Sequence, residues 1–251
     1  MTTIVLYCSR ETYLQQIFAQ LEILDCYADE VNLLTVVDGD QDLYVKVRNF
    51  TQSSKFNERL TIHFDDNSGP TERSISTRRR RIAMLHEFTK EHLPDGYVLG
   101  LEDDTLFPIN TLKKLQQAYL ENPYIGFVQG VQVGRWGTPY IGAFVVDDIY
   151  NPKKINSLLP KTGMQPIDAG GFYCYMTKSQ HFKEHDYENF DGVLGPDVNF
   201  GIALRQQGFQ NYIDWSLQTD HLTEKGTINA KNVDLITLEY TKGKKWRRND
   251  Q

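Results

Sequence analysis

Glu102, Asp103 and Asp104 follow one another directly after the apolar run Tyr97-Val98-Leu99-Gly100-Leu101. Adjacent carboxylates repel, so such a triplet is favourable only where a cation or hydrogen-bond donors neutralise it. Hard divalent ions are the natural partners of clustered carboxylate oxygens. If the run is a strand, alternation puts Glu102 and Asp104 on one face and turns Asp103 away. The same residues also fit a solvated loop that caps a helix beginning near residue 109. Three further groups carry possible chemistry. Asp38-Gly39-Asp40 ends an apolar run and is by itself a turn signal. Asp197 heads a helical pattern, where a carboxylate is either a cap favoured by the helix dipole or a general base within reach of a hydroxyl. His221 is a lone histidine, a structural residue or, as a neutral imidazole, a metal ligand. His63, His86, His92, His181 and His185 show no ligand spacing among themselves and read as surface residues.

The elements that must position these groups alternate. Apolar strands are expected at Ile4–Cys8, Val31–Val37, Leu60–Phe64 and Tyr97–Leu101, and another at about 125–133. Helical spacing occupies residues 11–24, 72–92 and about 109–120. Such alternation implies right-handed parallel crossovers and a three-layer α/β/α sandwich. Ligands in such sheets sit at the carboxyl ends of the strands. Here those ends carry Ser9-Arg10, Asp38 and the acidic triplet. Residues 134–166 are rich in glycine and proline and read as loops and short strands facing a substrate, with Trp136 and Tyr140 as candidate stacking surfaces for an acceptor. Gly171–Met176 and Gln210–Leu217 read as strands. Residues 196–207 read as a helix with Val198, Ile202, Ala203 and Leu204 inward and Gly208 as its stop.

The chain has 251 residues and a formal charge of −6, with 40% hydrophobic and 12% aromatic residues. That composition supports a sizeable core and excludes global disorder. No apolar run approaches the roughly 18 residues of a membrane span. The N-terminus lacks the pattern of a secretory signal. Cys8, Cys26 and Cys174 are odd in number and widely spaced, so neither a disulfide framework nor a zinc site follows, and a reduced, cytoplasmic setting is expected. Residues Arg78-Arg79-Arg80-Arg81 point about 100° apart on a helix and cannot form one basic face. Residues 1–241 are expected to form one domain and 242–251 a basic C-terminal tail.

The run Tyr97 to Pro108 resembles the signature strand of GT-A nucleotide-sugar glycosyltransferases, in which an apolar strand ends in an Asp-x-Asp motif followed by an apolar residue and proline. Glu102 replaces the first Asp of that motif. The resemblance implies that Asp104 binds Mn²⁺ or Mg²⁺ bridging the donor's diphosphate, with Glu102 and Asp103 on the donor side. Val37-Asp38-Gly39 is similar to the family's nucleotide-binding segment. Pro196-Asp197-Val198-Asn199-Phe200 resembles its Glu-Asp helix start, with Pro196 in place of Glu, which implies that Asp197 is the catalytic base of an inverting enzyme. Thr219-Asp220-His221 resembles the position of the second metal ligand, a His. Asp168-Ala169-Gly170-Gly171-Phe172 resembles the segment beside the donor sugar. Ser9 and Arg79 complete the expected donor site, Arg79 through the diphosphate.

The function implied is metal-dependent transfer of a sugar from a nucleotide-diphosphate sugar to an acceptor hydroxyl. The acceptor is a glycan, a lipid-linked sugar, a protein or a modified nucleic-acid base. Two other classes stay open. A nucleotidyltransferase normally carries a glycine-rich loop after strand one, whereas Cys8-Ser9-Arg10-Glu11-Thr12 has no glycine. A non-catalytic sugar- or nucleic-acid-binding module would not require Asp104, Asp197 and His221 together.

Overall fold

Thr2–Cys8 forms the first strand, β1. It is covered on both faces, which is why its apolar run is unbroken rather than alternating. Ile4, Leu6 and Cys8 join one core and Val5 the other. The computed structural model describes residues 1–65, 75–134, 139–189, 194–241 and 247–249. After β1 come α1 (Leu14–Glu22), β2 (Val31–Val37), α2 (Gln41–Ser53), β3 (Arg59–His63), α3 (Ile75–Lys90), β4 (Tyr97–Glu102), β5 (Thr105–Leu106), α4 (Thr111–Glu121) and β6 (Ile125–Val131). The second half contains β7 (Ala143–Val146), β8 (Lys154–Ser157), β9 (Met164–Ile167), β10 (Ala169–Gly170), β11 (Cys174–Lys178), α5 (Ser179–Glu184) and α6 (Pro196–Gln206). It closes with β12 (Gln210–Gln218), β13 (Asp220–Thr223), β14 (Gly226–Ile228), β15 (Thr237–Thr241) and β16 (Arg247–Asn249).

Among the described residues the main sheet has eight strands in the order β3-β2-β1-β4-β11-β6-β12-β9. All run in one direction except β11 and β9, which are antiparallel to their neighbours. The sheet is therefore mixed and mostly parallel, as expected. Apolar side chains of α1, α2 and α4 pack on one face, and those of α3, α5 and α6 on the other, giving the three-layer α/β/α arrangement. β1 lies between β2 and β4, so the chain's first crossovers leave it in opposite directions and open a switch point at its carboxyl end. Backbone bonds stitch that edge together: Asp38 N–H donates to Cys8 O (2.8 Å) and Asp103 N–H to Tyr7 O (3.1 Å).

A second sheet, β10-β7-β8-β15-β16, and a third, β14-β13-β5, flank this edge. Pairing of β13 with β5 sets His221 opposite Thr105, next to Asp104. The glycine- and proline-rich span 134–166 supplies β7, β8 and β9, in keeping with its reading as short strands and loops.

Several local expectations change. The strand β4 includes Glu102, and Asp103 and Asp104 already lie in a turn. Strand alternation therefore does not separate Asp103 from Asp104. The helix α2 goes unforeseen after the Asp38-Gly39-Asp40 turn signal. Asp40 caps it, accepting a hydrogen bond from Leu43 N–H at 2.9 Å, and its buried stripe is only Leu43, Val47 and Thr51. Gly171–Tyr173 is not part of the strand that starts at Cys174. In α6, Ala203 is half-buried while Val198, Ile202 and Leu204 are buried. His86 and His181 are buried rather than on the surface, because each sits on a helix face turned to an aromatic cluster. Arg247–Asn249, inside the expected tail, pairs with Thr237–Glu239 as the edge of the second sheet. Lys242, Lys244, Lys245 and Trp246 lie outside the described residues. No helix among the described residues is long and apolar enough to cross a membrane.

Candidate active site

The carboxyl ends of β1, β2 and β4 enclose a cavity of about 440 Å³. Ser9, Arg10, Asp38, Arg78, Arg81, His86, Glu102 and Asp103 line it. A second cavity of about 250 Å³ adjoins it, lined by Glu102, Gln132, Tyr140, Gly171, Tyr173, Asp197 and His221. Glu102 and Phe172 belong to both. The end of β4 thus separates a larger chamber from a smaller one.

Asp103 is buried and fully engaged. Its Oδ2 accepts from the N–H of Ser9 (2.6 Å) and of Arg10 (2.9 Å), and its Oδ1 accepts from Nε of Arg10 (3.1 Å) and from Nη2. Burial pushes its carboxyl up while Arg10 pulls it down. This carboxylate ties the loop after β1 to the end of β4. Asp104 is completely buried. Its Oδ2 meets Nη1 of Arg10 at 2.9 Å and Nε2 of His221 at 3.2 Å.

The other ring nitrogen of His221, Nδ1, lies 2.8 Å from the carbonyl of Val133. A carbonyl only accepts, so Nδ1 is the donor. In the neutral imidazole Nε2 then turns its lone pair toward a carboxylate oxygen, which is attractive only with a proton or a cation between them. Donors in neighbouring positions of an octahedral ion, each about 2.1 Å away, lie about 3.0 Å apart. The observed 3.2 Å fits that separation. Among the described residues no set of three or more His, Cys, Asp or Glu forms a complete metal cage. Asp104 and His221 could supply two ligands to a divalent ion, whose remaining positions water and phosphate oxygens would fill, the usual sharing at Mg²⁺ sites.

Asp197 sits in the first turn of α6, after Pro196 at the helix start. It keeps part of its surface open to the smaller cavity but is otherwise ringed by protein. Burial pushes its carboxyl up to about 6, against the Val198 N–H and the charge of Arg79. Its Oδ1 folds back over Gly195, where a Cβ would stand only 2.1 Å away. Tyr140, half-buried, shares this cavity; burial and then Asp197 push its phenol up, and Arg79 lowers it.

Asp38 lies at the far side of the larger cavity, gripped by Arg81 through Nε at 3.1 and 3.2 Å and Nη2 at 2.6 Å. The Arg81 guanidinium also stacks 4.4 Å above the Phe64 ring. His86 forms the floor, stacked between Tyr7 (4.7 Å) and Phe172 (4.6 Å). Burial lowers it to about 4, so it is neutral at neutral pH.

The structure brings Ser9, Asp38, Glu102, Asp103, Gly171, Asp197, His221 and Tyr140 to the walls of these two chambers. Asp104 lines neither; it lies buried behind them, against Arg10 and His221. Arg79 is not among the residues lining the larger one; its charge acts on Asp197 and Tyr140 instead. Asp168 lines neither chamber. It pairs with Nε of Arg205 (3.1 Å) and accepts from Val146 N–H (2.9 Å), anchoring α6 to β7. Gly170 receives the Gln129 side chain, whose Oε1 lies 1.4 Å from where a Cβ would be. Trp136 lies outside the described residues. Sequence reasoning placed Arg10 at a ligand-facing strand end without giving it a role, gave Arg81 none within its arginine run, and read His86 as a surface residue. The signal for Arg10 is its place directly after β1, which becomes informative only once β1 is known to adjoin β4.

No family model matches the sequence, and no curated protein matches it significantly. Solved structures do match in shape. Residues 1–349 of TarS from S. aureus align with a TM-score of 0.54 at 13% identity, covering 90% of this chain and 59% of that one; the complex of the same protein with UDP aligns equally. The mannosyltransferase PcManGT from Pyrobaculum calidifontis, in complex with GDP-Man and Mn²⁺, aligns with a TM-score of 0.54 at 11% identity, covering 90% of this chain and 58% of that one. This chain spans about three-fifths of the length of those structures. At such identities the likeness defines the fold alone, a GT-A-like α/β/α arrangement around a mixed, mostly parallel sheet.

Proposed function

We propose that the protein is a glycosyltransferase that moves a sugar from a nucleotide-diphosphate sugar to an acceptor hydroxyl with inversion, aided by Mn²⁺ or Mg²⁺. One observation carries the reading. Glu102, Asp197 and His221 face a small cavity that adjoins, across Glu102 and Phe172, the larger one lined by Asp38, Arg81 and Arg10. The larger chamber takes the nucleoside diphosphate and the smaller one the sugar and acceptor.

Asp38, held by Arg81, meets the nucleoside, and Glu102 the ribose between the chambers. Asp104 and His221 would hold the divalent ion, which when bound would supply Lewis-acid stabilisation of the departing diphosphate. Asp197 takes the proton of the acceptor hydroxyl. Its raised carboxyl is still mostly ionised at pH 7 yet basic enough to accept that proton. As the acceptor oxygen bonds to the anomeric carbon, the bond from that carbon to the diphosphate breaks, and the electron pair leaves with the nucleoside diphosphate. Tyr140 and Gly171 shape the wall against which acceptor and sugar lie. Arg79, beside Asp197, favours the ionised base. Ser9 and Asp103 hold the loop that closes the donor chamber.

The anomeric configuration of the product, read by NMR, tests the assignment of Asp197. Inversion is expected, and retention removes Asp197 from its role as base. Thermal shifts with UDP-, GDP- and dTDP-sugars, with and without Mn²⁺, identify the donor. Stabilisation by no nucleotide sugar would favour a binding module of another kind.

A further inference from the structure

Arg10 is a feature that the proposed reaction does not use. Its guanidinium is shared between both acids of the turn after β4. Nε and Nη2 rest on Asp103, and Nη1 lies 2.9 Å from Oδ2 of Asp104. The two attachments differ in strength. Asp103 also accepts the backbone N–H groups of Ser9 and Arg10, so the residue is pinned there by main chain and side chain together. The grip on Asp104 is made by the side chain without the main chain, through Nη1 to the same oxygen that faces His221. The Arg10 side chain is also one-third exposed and lines the larger chamber.

We propose that Arg10 is a resident cation that competes with the divalent ion for Asp104. When the ion binds, Arg10 stays hinged on Asp103 and its Nη1 turns to the diphosphate of the donor. The inference rests on the proposed metal-dependent reading. Its physical basis is charge. Oδ2 of Asp104, buried and already bridged to a guanidinium, is neutralised without a metal, so the turn is stable before substrate arrives. A divalent ion on the same oxygen repels the guanidinium; beside Asp38, which Arg81 holds, and Glu102, the donor's diphosphate brings the larger negative charge to that chamber. Metal and donor then bind cooperatively, since each relieves what the other disturbs. Arg10 is a positioning residue here until the diphosphate is bound, when it touches substrate.

The test is Mn²⁺ binding to the metal-free protein, followed by the electron paramagnetic resonance of free Mn²⁺. Arg10→Gln is expected to bind Mn²⁺ about tenfold or more tightly in the absence of nucleotide, because the competing charge is gone. The double variant Arg10→Gln/Asp103→Asn restores the net charge of the turn, and the gain is expected to persist in it. At saturating Mn²⁺, UDP or GDP is expected to bind Arg10→Gln several-fold more weakly than the wild type. If Arg10→Gln fails to fold, judged by thermal melting, Arg10→Lys carries the test, because an ammonium on Asp103 cannot span both acids. Unchanged or weaker Mn²⁺ binding in a folded variant overturns the competition. So does a gain that vanishes in the double variant, which would reflect net charge alone. Unchanged nucleotide affinity overturns the transfer of Nη1 to the diphosphate. If neither wild type nor variants bind Mn²⁺ even with UDP or GDP, the metal-dependent reading itself falls, a result distinct from metal binding that is indifferent to Arg10.

Discussion

Nε2 of His221 lies 3.2 Å from Oδ2 of Asp104 across 117 residues of chain, with both side chains buried. The pairing of β13 with β5 creates this juxtaposition, and the Val133 carbonyl fixes which nitrogen faces the acid. In the proposed reading this pair is half of the site that would hold the divalent ion. His221→Ala is therefore expected to raise the Mn²⁺ concentration needed for half-maximal activity by about 10–100-fold, the scale of loss when a metal's supports are disturbed. A Mn²⁺ titration of the rate checks this, and an unchanged midpoint would remove His221 from the metal site.

Asp197 gives a pH prediction with a defined sign. As the base it must be ionised, so the rate is expected to rise through about pH 6 and to lose that limb in Asp197→Asn together with nearly all activity. Stability moves the other way. The folded carboxyl binds its proton more tightly than an unfolded Asp, near 3.9, so folding is favoured most below that value and loses stability as pH rises from about 4 to about 6. Asp197→Asn is then expected to be more stable than the wild type at pH 8, by about 1–2 kcal/mol. Melting curves at pH 4 and pH 8 measure it; an Asn variant less stable at pH 8 would contradict the burial argument.

His86 predicts the acid limb of stability. Its folded value is lowered to about 4 by burial, below the usual 6.5 of an unfolded histidine. The unfolded state binds the proton more readily between those values, so stability is present in full above about pH 6.5 and is lost as pH falls toward 4. The loss from this residue is roughly 1–3 kcal/mol. His185, also lowered to about 4 by burial, adds to the same limb. His86→Phe is expected to flatten the fall in denaturation midpoint between pH 6.5 and 4. An equally steep fall in the variant would assign the acid sensitivity elsewhere.

Much of the sheet was legible because its central strands are buried on both faces, and continuous apolar runs such as Val31–Val37 mark such strands. The order of the candidate residues along the chain was legible too, since Asp38, Glu102 and Asp104 stand where strands end. Less legible was anything decided by strand order or by narrow helical stripes. The helix α2 buries so thin a stripe that its pattern is mostly polar. Asp103 could be assigned as a clamp rather than a donor contact only when β1 was seen beside β4, bringing Arg10 to it. Asp168 stands in a segment that resembles the one beside the donor sugar in GT-A enzymes, yet its carboxylate is engaged by Arg205 and the Val146 N–H.

The ion pair of Asp38 with Arg81 offers a test of the nucleoside end of the larger chamber. It is part-buried, made through both carboxylate oxygens, and backed by the Phe64 ring. Arg81→Ala is expected to raise the KM for the nucleotide sugar about tenfold or more with little change in kcat, as loss of uniform binding does. In a double-mutant cycle, adding Asp38→Asn should cost less than it does alone. Additive losses would show that Arg81 does not act through Asp38.

The central claim is that Asp104 anchors a metal-dependent transfer. It is tested most directly by release of nucleoside diphosphate from a panel of UDP-, GDP- and dTDP-sugars, with and without Mn²⁺, by the wild type and by Asp104→Asn. The account predicts Mn²⁺-dependent release from one class of donor by the wild type and loss of that release in Asp104→Asn with the fold retained. Full metal-dependent turnover by Asp104→Asn, or no release from any donor with any acceptor class supplied, would contradict it.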